Sequence, residues 1–327
     1  MMHKSTPSSV LTLLAALALG GCASARINDR GPKSVHAPLT HGWIAVSDEC
    51  VAFAGSDESD LTVWWSGACE HGRISGDGRL KVLRDGRLLR TFEGQFRDGK
   101  LSGEGKATQG TLTASGTFVD GLLEGRGRLD DGSTLIEGTF VHQKLNGRGL
   151  IKKGDMTFEG TFVDGELSGK GRQTQPDGTV LEGRYANGNL IGPAKVTRPD
   201  GSTMEVAFLD GKMDGPAHMV AADGNVSDFT FNRGTVEGVM TIRSPENILT
   251  EVTFAHRKLH GLARTTGPTG LVIEGTFRDG KPPTSGRVRN PGGQEQVVHD
   301  DPVELRQFSA WVKAVMQLGG LSESMSN

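Results

Sequence analysis

The stretch Phe92-Glu93-Gly94-Gln95-Phe96-Arg97-Asp98-Gly99-Lys100-Leu101-Ser102-Gly103-Glu104-Gly105 contains the pattern that decides the fold of this 327-residue chain. The same order of aromatic residues, glycines and polar residues returns along most of the sequence, for example from Phe158 to Gly171. After a first, longer gap, the residue at position five returns every 22 and then every 23 residues. A fixed period of this length indicates one structural unit that is stacked many times. The position-five residues are Cys69, Phe96, Phe118, Phe140, Phe162, Tyr185, Phe208, Phe231, Phe254 and Phe277.

Positions seven and eight predict a tight turn in most copies. They are Asp-Gly or Asn-Gly, as at Asp98-Gly99 and Asn187-Gly188, although His142-Gln143 and His256-Arg257 depart from the rule. Both residues of a type I′ turn need positive φ, which these dipeptides adopt readily. Counting outward from such a turn places position five opposite position ten, so that aromatic and aliphatic side chains pair. The predicted pairs are Phe96–Leu101, Phe118–Leu123, Phe140–Leu145, Phe162–Leu167, Tyr185–Leu190, Phe208–Met213, Phe231–Val236 and Phe254–Leu259.

Alternation of side chains assigns positions one, three, five, ten, twelve and fourteen to one face of each hairpin. An uninterrupted ladder places the glycine at position three opposite the glycine at position twelve. It also places a large residue at position one opposite a small one at position fourteen, as for Phe92 and Gly105. Glycine weakens a strand, so its regular use predicts close packing of side chains over bare backbone.

The other face carries a row of acidic residues at position two. The same counting predicts Arg148 opposite Glu137 and Lys170 opposite Glu159. Because cations stand opposite some of these carboxylates, we interpret the row as a solvated ladder and expect no metal site.

The repeat resembles the MORN (membrane occupation and recognition nexus) repeat from about Trp65 to Arg287. This resemblance implies an all-β fold, an elongated antiparallel β-meander of about ten MORN-type hairpins, to which we add a short C-terminal capping α-helix. It also implies a role in protein assembly or membrane association. Basic clusters, which lipid binding by the repeats would need, are not visible in the sequence.

Bacterial MORN-like proteins often begin with a cysteine pair around a Trp-x-Gly-x-Cys stretch, which here is Trp65 to Cys69. We therefore expect a disulfide between Cys50 and Cys69 that staples the first hairpin, as an oxidising compartment would allow. The alternative is a pair of free buried thiols.

The N-terminus has the features of a targeting segment. Val10 to Leu19 is an apolar run of signal-peptide length, and Leu19-Gly20-Gly21-Cys22 resembles the bacterial lipobox. We expect a signal peptide over residues 1–21, acylation of Cys22 and a lipid-anchored tether over residues 22–42. An ordinary signal peptide with a chance cysteine is the alternative. Ala23 favours the outer membrane, facing the periplasm, as the destination.

The repeats are expected to fill residues 43–290, and residues 291–327 are expected to hold an amphipathic helix and a tail. The stretch Asp301-Pro302-Val303-Glu304 is a helix start, and Gly319-Gly320 is its predicted end. The apolar stripe of Leu305, Phe308, Val312 and Val315 is expected to cover the last repeat. Contact with a membrane or a partner is the alternative.

Composition limits the function classes. The net charge of −3 and the scattered basic residues argue against nucleic-acid binding, and we find no catalytic or cofactor motif. We expect a non-enzymatic scaffold or envelope adaptor with a protein partner and a membrane anchor. The alternative is a protein that binds phospholipid or glycan, including peptidoglycan, since exposed aromatic rings stack on sugars. The candidate binding face consists of Phe92, Phe96, Phe118, Phe140, Phe162, Tyr185, Phe208, Phe231, Phe254 and Phe277.

Overall fold

A computed structural model of the protein describes residues 42–53, 61–299 and 305–325. The predicted signal peptide, the lipidation site Cys22 and the tether up to His41 lie outside the described residues.

The chain forms two compact units, one up to Gln173 and the other from Thr174 onward. Antiparallel pairing of neighbouring strands builds each unit, as the repeat predicted. The first unit contains β1 (Trp43–Ser47), β2 (Cys50–Phe53), β3 (Leu61–Trp65), β4 (Ala68–Glu70), β5 (Arg73–Arg84), β6 (Arg87–Arg97), β7 (Lys100–Gln109), β8 (Leu112–Val119), β9 (Leu122–Asp130), β10 (Thr134–Val141), β11 (Lys144–Lys153), β12 (Met156–Val163) and β13 (Glu166–Thr174), whose last residue reaches the second unit.

The second unit consists of strands and one described helix. They are β14 (Val180–Ala186), β15 (Asn189–Thr197), β16 (Thr203–Leu209), β17 (Lys212–Val220), β18 (Val226–Asn232), β19 (Thr235–Arg243), β20 (Leu249–Ala255), β21 (Lys258–Leu259), β22 (Gly261–Thr266), β23 (Val272–Phe277), β24 (Ser285–Arg289), β25 (Glu295–His299) and α1 (Leu305–Met325).

The turns have the predicted conformation. Asp98 and Gly99 have φ values of 50° and 83°, and the departing pair His142-Gln143 keeps the geometry with 50° and 63°. The pairing between positions five and ten is confirmed, for instance by Phe96 opposite Leu101 and Phe140 opposite Leu145. The aromatic spacing and the turn therefore fix the register near the turn.

Farther from the turn the predicted register is wrong, because a β-bulge interrupts the ladder of six hairpins, β6–β7, β8–β9, β10–β11, β14–β15, β16–β17 and β18–β19. Gly94 pairs with Gly105 at position fourteen and not with Gly103, and Phe92 pairs with Ala107. The second strand carries extra residues between these pairs, and Gly103 at position twelve bulges out with φ at 106°. The position-twelve glycine thus serves a left-handed backbone conformation that side chains disfavour.

A second set of turns, which the spacing of the repeat does not predict, joins one hairpin to the next. In Gln175-Pro176-Asp177-Gly178-Thr179 the Gln175 N–H donates to Thr179 O and the Gly178 N–H donates to Gln175 O. The Asp177 carboxylate accepts the Thr179 N–H at 2.8 Å. The turn beginning at Arg198 repeats both backbone bonds. The tripeptide Pro-Asp-Gly is typical of a turn, so these turns could have been predicted from the sequence.

The inner face of the sheet is the core. Most side chains at positions one, five and ten are buried on it, among them Ile136, Phe140 and Leu145. The paired glycines leave room for the leucine of the same hairpin, since the Cδ1 atom of Leu145 would lie within 3 Å of a Cβ at either Gly138 or Gly149. The regular glycines are therefore packing positions as well as turn positions.

Both ends of the repeat region differ from a plain hairpin. The predicted disulfide is present between Cys50 and Cys69, with a Cα–Cα distance of 6.0 Å, and links β2 to β4. At the other end the sheet extends past residue 290, because a turn at Asn290–Gln294 adds β25.

Helix α1 covers the inner face at the C-terminal end, as expected of a cap. Phe308, Trp311 and Val315 are buried, and the Trp311 Nε1–H donates to the Thr265 hydroxyl at 2.8 Å. Val312, which the sequence places on the apolar face of the helix, is only half-buried. The helix does not end at Gly319-Gly320 but continues to Met325. Glycine inside a helix costs about 1 kcal/mol, which other interactions can offset.

Candidate protein-binding surface

The ten aromatic residues proposed as a binding face lie in the core. Their exposure is 9% or less, from Phe92 at 9% to Phe140 at 0%. Tyr185 illustrates the exclusion of solvent from this face. Burial raises the pKa of its phenol, and its hydroxyl donates to the Leu181 carbonyl at 3.2 Å. Rings in this position stabilise the sheet and present no surface to a ligand. The ten residues are Phe92, Phe96, Phe118, Phe140, Phe162, Tyr185, Phe208, Phe231, Phe254 and Phe277.

The outer face carries the polar side chains, and the predicted pairing of Glu137 with Arg148 is wrong. Glu137 forms an ion pair with Arg128 of the preceding strand, and Leu150 is its cross-strand neighbour in its own hairpin. Arg148 stands opposite Thr161. The bulge shifts the second strand by two residues, so position two faces position fifteen.

Around Arg128 the outer face forms a small charge network. Arg128 also binds Asp130 at 3.0 Å, and the Gly132 N–H together with Arg128 holds the pKa of the Asp130 carboxyl below its usual value. Nearer the start of the same unit, Arg79 and Glu93 form a similar cross-strand ion pair at 2.9 Å. These groups are exposed to solvent, so each pair contributes little to stability.

In the second unit, one polar residue from each strand continues this row, which we call the charge ladder. Neighbouring members are cross-strand partners, and His218 contacts Asp228 with 2.7 Å between Nδ1 and Oδ1. From β15 to β23 the charge ladder consists of Lys195, Glu205, His218, Asp228, Thr241, Glu251, Arg264 and Glu274.

Beside the charge ladder runs a row that is apolar or threonine at every strand, which we call the stripe. Val239 is 56% exposed and Leu262 is 49% exposed, and both prolines of the row are exposed. Cross-strand pairing joins the row in twos, for example Pro193 with Ala207 and Val239 with Thr253. Within two of the hairpins the bulge places an acidic residue opposite the row, Asp214 opposite Ala207 and Glu237 opposite Thr230. The stripe consists of Pro193, Ala207, Pro216, Thr230, Val239, Thr253, Leu262 and Thr276.

The stripe distinguishes the second unit from the first. Position thirteen supplies Pro193, Pro216, Val239 and Leu262 to the stripe, whereas the corresponding residues of the first unit are Glu104, Arg126, Arg148 and Lys170. Exposed apolar side chains that lie on one face are typical of a protein-interaction site. Comparing position thirteen between repeats would have revealed this change in the sequence.

The described parts of the chain contain no group of three or more His, Cys, Asp or Glu side chains that could hold a metal ion. Among the described elements, α1 lacks the length or apolar character of a membrane-spanning helix.

Comparison with known proteins identifies the repeat. The family model described as the MORN repeat matches residues 92–110, 115–134 and 158–180. These three matches suggest a repeat-based binding or scaffold role. The search of curated proteins found no match to the sequence.

Two solved structures show limited similarity to the chain. The wild-type TCP10 domain of CPAP from Danio rerio is 14% identical, with a TM-score of 0.35, and the match covers 58% of this chain and 89% of that domain. The SAS-4 (dCPAP) TCP domain of Drosophila melanogaster, in complex with a proline-rich motif of Ana2 (dSTIL), is 15% identical with a TM-score of 0.29. That match covers 46% of this chain and 83% of the domain.

Proposed function

We propose that the protein is a membrane-anchored, non-enzymatic MORN-repeat lipoprotein that acts as a protein-interaction scaffold or adaptor in the cell envelope. In this proposal acyl chains on Cys22 hold it in the outer membrane, and the repeats face the periplasm. The observation that carries the binding role is the stripe, a row of apolar and threonine side chains on the outer face in which Val239 and Leu262 are about half exposed.

The physical case for protein binding rests on the difference between the two faces. The inner face is filled by its own aromatic and aliphatic side chains, whereas the stripe leaves Val239 and Leu262 about half exposed. Covering such side chains contributes roughly 25 cal/mol for each Å² of apolar surface removed from water. Backbone pairing across neighbouring strands holds the stripe in place, so little ordering is needed on binding.

Support for an exported protein comes from two features of the chain. The sequence Leu19-Gly20-Gly21-Cys22 resembles a lipobox, and the Cys50–Cys69 disulfide suits an oxidising compartment. Several acyl chains anchor a protein far more firmly than one does.

The alternative of phospholipid or glycan binding receives less support. Stacking on sugars requires exposed ring faces, and all ten candidate aromatic residues are buried. The stripe itself contains no aromatic residue.

Recovery of envelope proteins by stripe variants tests the binding role. The chain from Ala23 onward keeps every described residue and is used as bait, either unchanged, with Val239→Asn and Leu262→Asn, or with Val119→Asn and Val163→Asn. The last variant is the matched control, because Val119 and Val163 are about equally exposed in the first unit. We expect the unchanged chain and the control variant to recover envelope proteins that the stripe variant does not recover. Recovery of the same proteins by all three, or sedimentation with peptidoglycan or liposomes alone, would refute protein binding by the stripe.

Replacement of Cys22 tests the anchor. In cells fed an alkyne-tagged fatty acid, the natural chain is expected to incorporate the label and to remain in the membrane fraction after a carbonate wash. The Cys22→Ala variant is expected to lose the label, and Cys50→Ala with Cys69→Ala is expected to retain it. An unlabelled natural chain would contradict the lipoprotein proposal.

A further inference from the structure

We propose that the partner covering the stripe is a second copy of this chain, packed face to face through the second unit. This inference rests on the proposed function, in that it takes the stripe to be a protein-binding surface. The argument comes from the charge ladder that runs beside the stripe.

Several charged side chains of the charge ladder form no ion pair with any part of the chain that the structure describes. Among the described residues, the side chains of Lys195, Glu205, Glu251, Arg264 and Glu274 form no ion pair within 4.0 Å, although their Cα atoms are cross-strand partners. The Nε atom of Arg264 is buried and has no hydrogen-bond partner among these residues. A surface laid on the stripe would cover these charges and would have to complement them.

A two-fold axis satisfies this requirement when it runs parallel to the strands and passes between β18 and β19. The axis reverses the strand order, so β15 of one copy faces β23 of the other and β16 faces β22. Lys195 then meets Glu274, and Glu205 meets Arg264. Farther in, His218 meets Glu251, and Asp228 meets the Thr241 hydroxyl. Every charged member of the ladder faces an opposite charge or a polar group that can bind it.

The alternation of charge also excludes other arrangements. An axis through β19 itself would place Lys195 against Arg287 and Glu205 against Glu274. An axis between any two strands avoids this repulsion, but only the one between β18 and β19 centres the stripe and covers all of it. Repulsion in the wrong register gives specificity that apolar contact alone lacks.

The same axis covers the exposed apolar side chains. Leu262 of one copy would lie over Ala207 of the other, and Val239 would lie over Thr230. Stacked sheets are about 10 Å apart, a distance that side chains of this size span. The stripe extends over eight strands, or about 34 Å at the usual strand spacing. It is therefore long enough to serve as the centre of a dimer interface, with the charge ladder as one rim.

The test measures the association of the chain from Ala23 onward by sedimentation equilibrium. The variants are Glu205→Lys, Arg264→Glu and the two combined, with Glu159→Lys as the matched control on the outer face of the first unit. Either single variant places like charges together, so the dimer dissociation constant is expected to rise about tenfold or more. The combined variant restores opposite charges and is expected to return within about threefold of the natural value. The control is expected to leave the value unchanged.

The outcomes separate this inference from the proposed function. A chain that is monomeric at all concentrations refutes the second copy as partner. The arrangement is refuted if the single variants leave the dimer dissociation constant unchanged. It is also refuted if the combined variant does not restore the natural value. In each of these cases the proposed function survives if envelope proteins still depend on Val239 and Leu262. The proposed function is refuted together with the inference if substitutions in the stripe change neither self-association nor the recovery of any envelope protein.

Discussion

The side chain of Leu145 lies over the bare backbone of Gly149, and its Cδ1 atom is 2.8 Å from the place that a Cβ would occupy. Leu123 covers Gly127 at the same distance. The pattern of the repeat has a steric cause here, since the aliphatic residue at position ten needs the space that the glycine at position fourteen leaves.

Replacing this glycine with alanine is expected to destabilise the first unit. A Cβ at residue 149 would collide with Leu145 and with the Glu137 carbonyl oxygen, so Gly149→Ala should lower the free energy of unfolding by about 1–3 kcal/mol. Denaturant unfolding measures the loss. Gly292→Ala is the control, because its Cβ would be 3.5 Å from its nearest neighbour and its φ is not positive. Equal stability of the two variants would exclude the steric explanation.

The bulge glycine is expected to behave differently. Gly215 has φ at 88°, and no atom lies within 4 Å of the place that its Cβ would occupy, so only backbone strain opposes a substitution. Gly215→Ala should cost about 1 kcal/mol, and Gly215→Asn should cost less because asparagine tolerates the left-handed region. Thermal or denaturant unfolding of both variants gives the order. A larger loss for Asn than for Ala would indicate crowding instead of strain.

Removal of the disulfide is expected to destabilise the first unit selectively. The bond joins residues 19 positions apart, and bonds closing loops of this size contribute about 2–4 kcal/mol. Hydrogen exchange of the Cys50→Ser, Cys69→Ser variant should show faster exchange in β2 and β5 and unchanged exchange in β16 to β20. Repeat proteins transmit stability mainly to neighbouring units, which is the reason for this restriction. Uniform loss of protection across both units would contradict it.

Tyr185 provides a pH prediction, since it is the only tyrosine in the chain. Burial raises the pKa of its phenol above the usual value of about 10, so at higher pH the unfolded state loses this proton before the folded state does. The unfolded state then binds fewer protons, and stability falls as pH rises above about 10. The ultraviolet absorbance of phenolate should appear at higher pH in the folded protein than in urea. Tyr185→Phe should remove both the signal and this part of the pH dependence, and titration of the folded protein near the usual pKa would refute the burial.

Comparison of sequence and structure shows which features local patterns encode. The pairing of Phe96 with Leu101 is predictable because the Asp98-Gly99 turn fixes it by counting over a few residues. The pairing of Gly94 with Gly105 is not, because a bulge at Gly103 breaks the count and a glycine is equally compatible with a ladder or a bulge.

The burial of the ten candidate aromatic residues was not predictable for a similar reason. Repetition of Phe140 and its equivalents is visible in the sequence, but the depth of a ring depends on how the neighbouring strands cover it, which periodicity does not specify. The sequence did not predict the stripe, because a single apolar residue such as Val239 or Leu262 is common in a strand and does not by itself indicate a surface row. Their significance comes from the neighbouring strands that place Thr253 and Thr276 beside them.

Photocrosslinking in living cells tests the protein-binding role of the stripe most directly. A benzophenone amino acid is placed at residue 262 in the stripe, or at residue 119 on the outer face of the first unit as a matched exposed site. The scaffold proposal predicts a discrete protein adduct from residue 262, either with another copy or with a different envelope protein, and little or none from residue 119. Absence of a protein adduct at residue 262, with the chain present at its natural level, would contradict it.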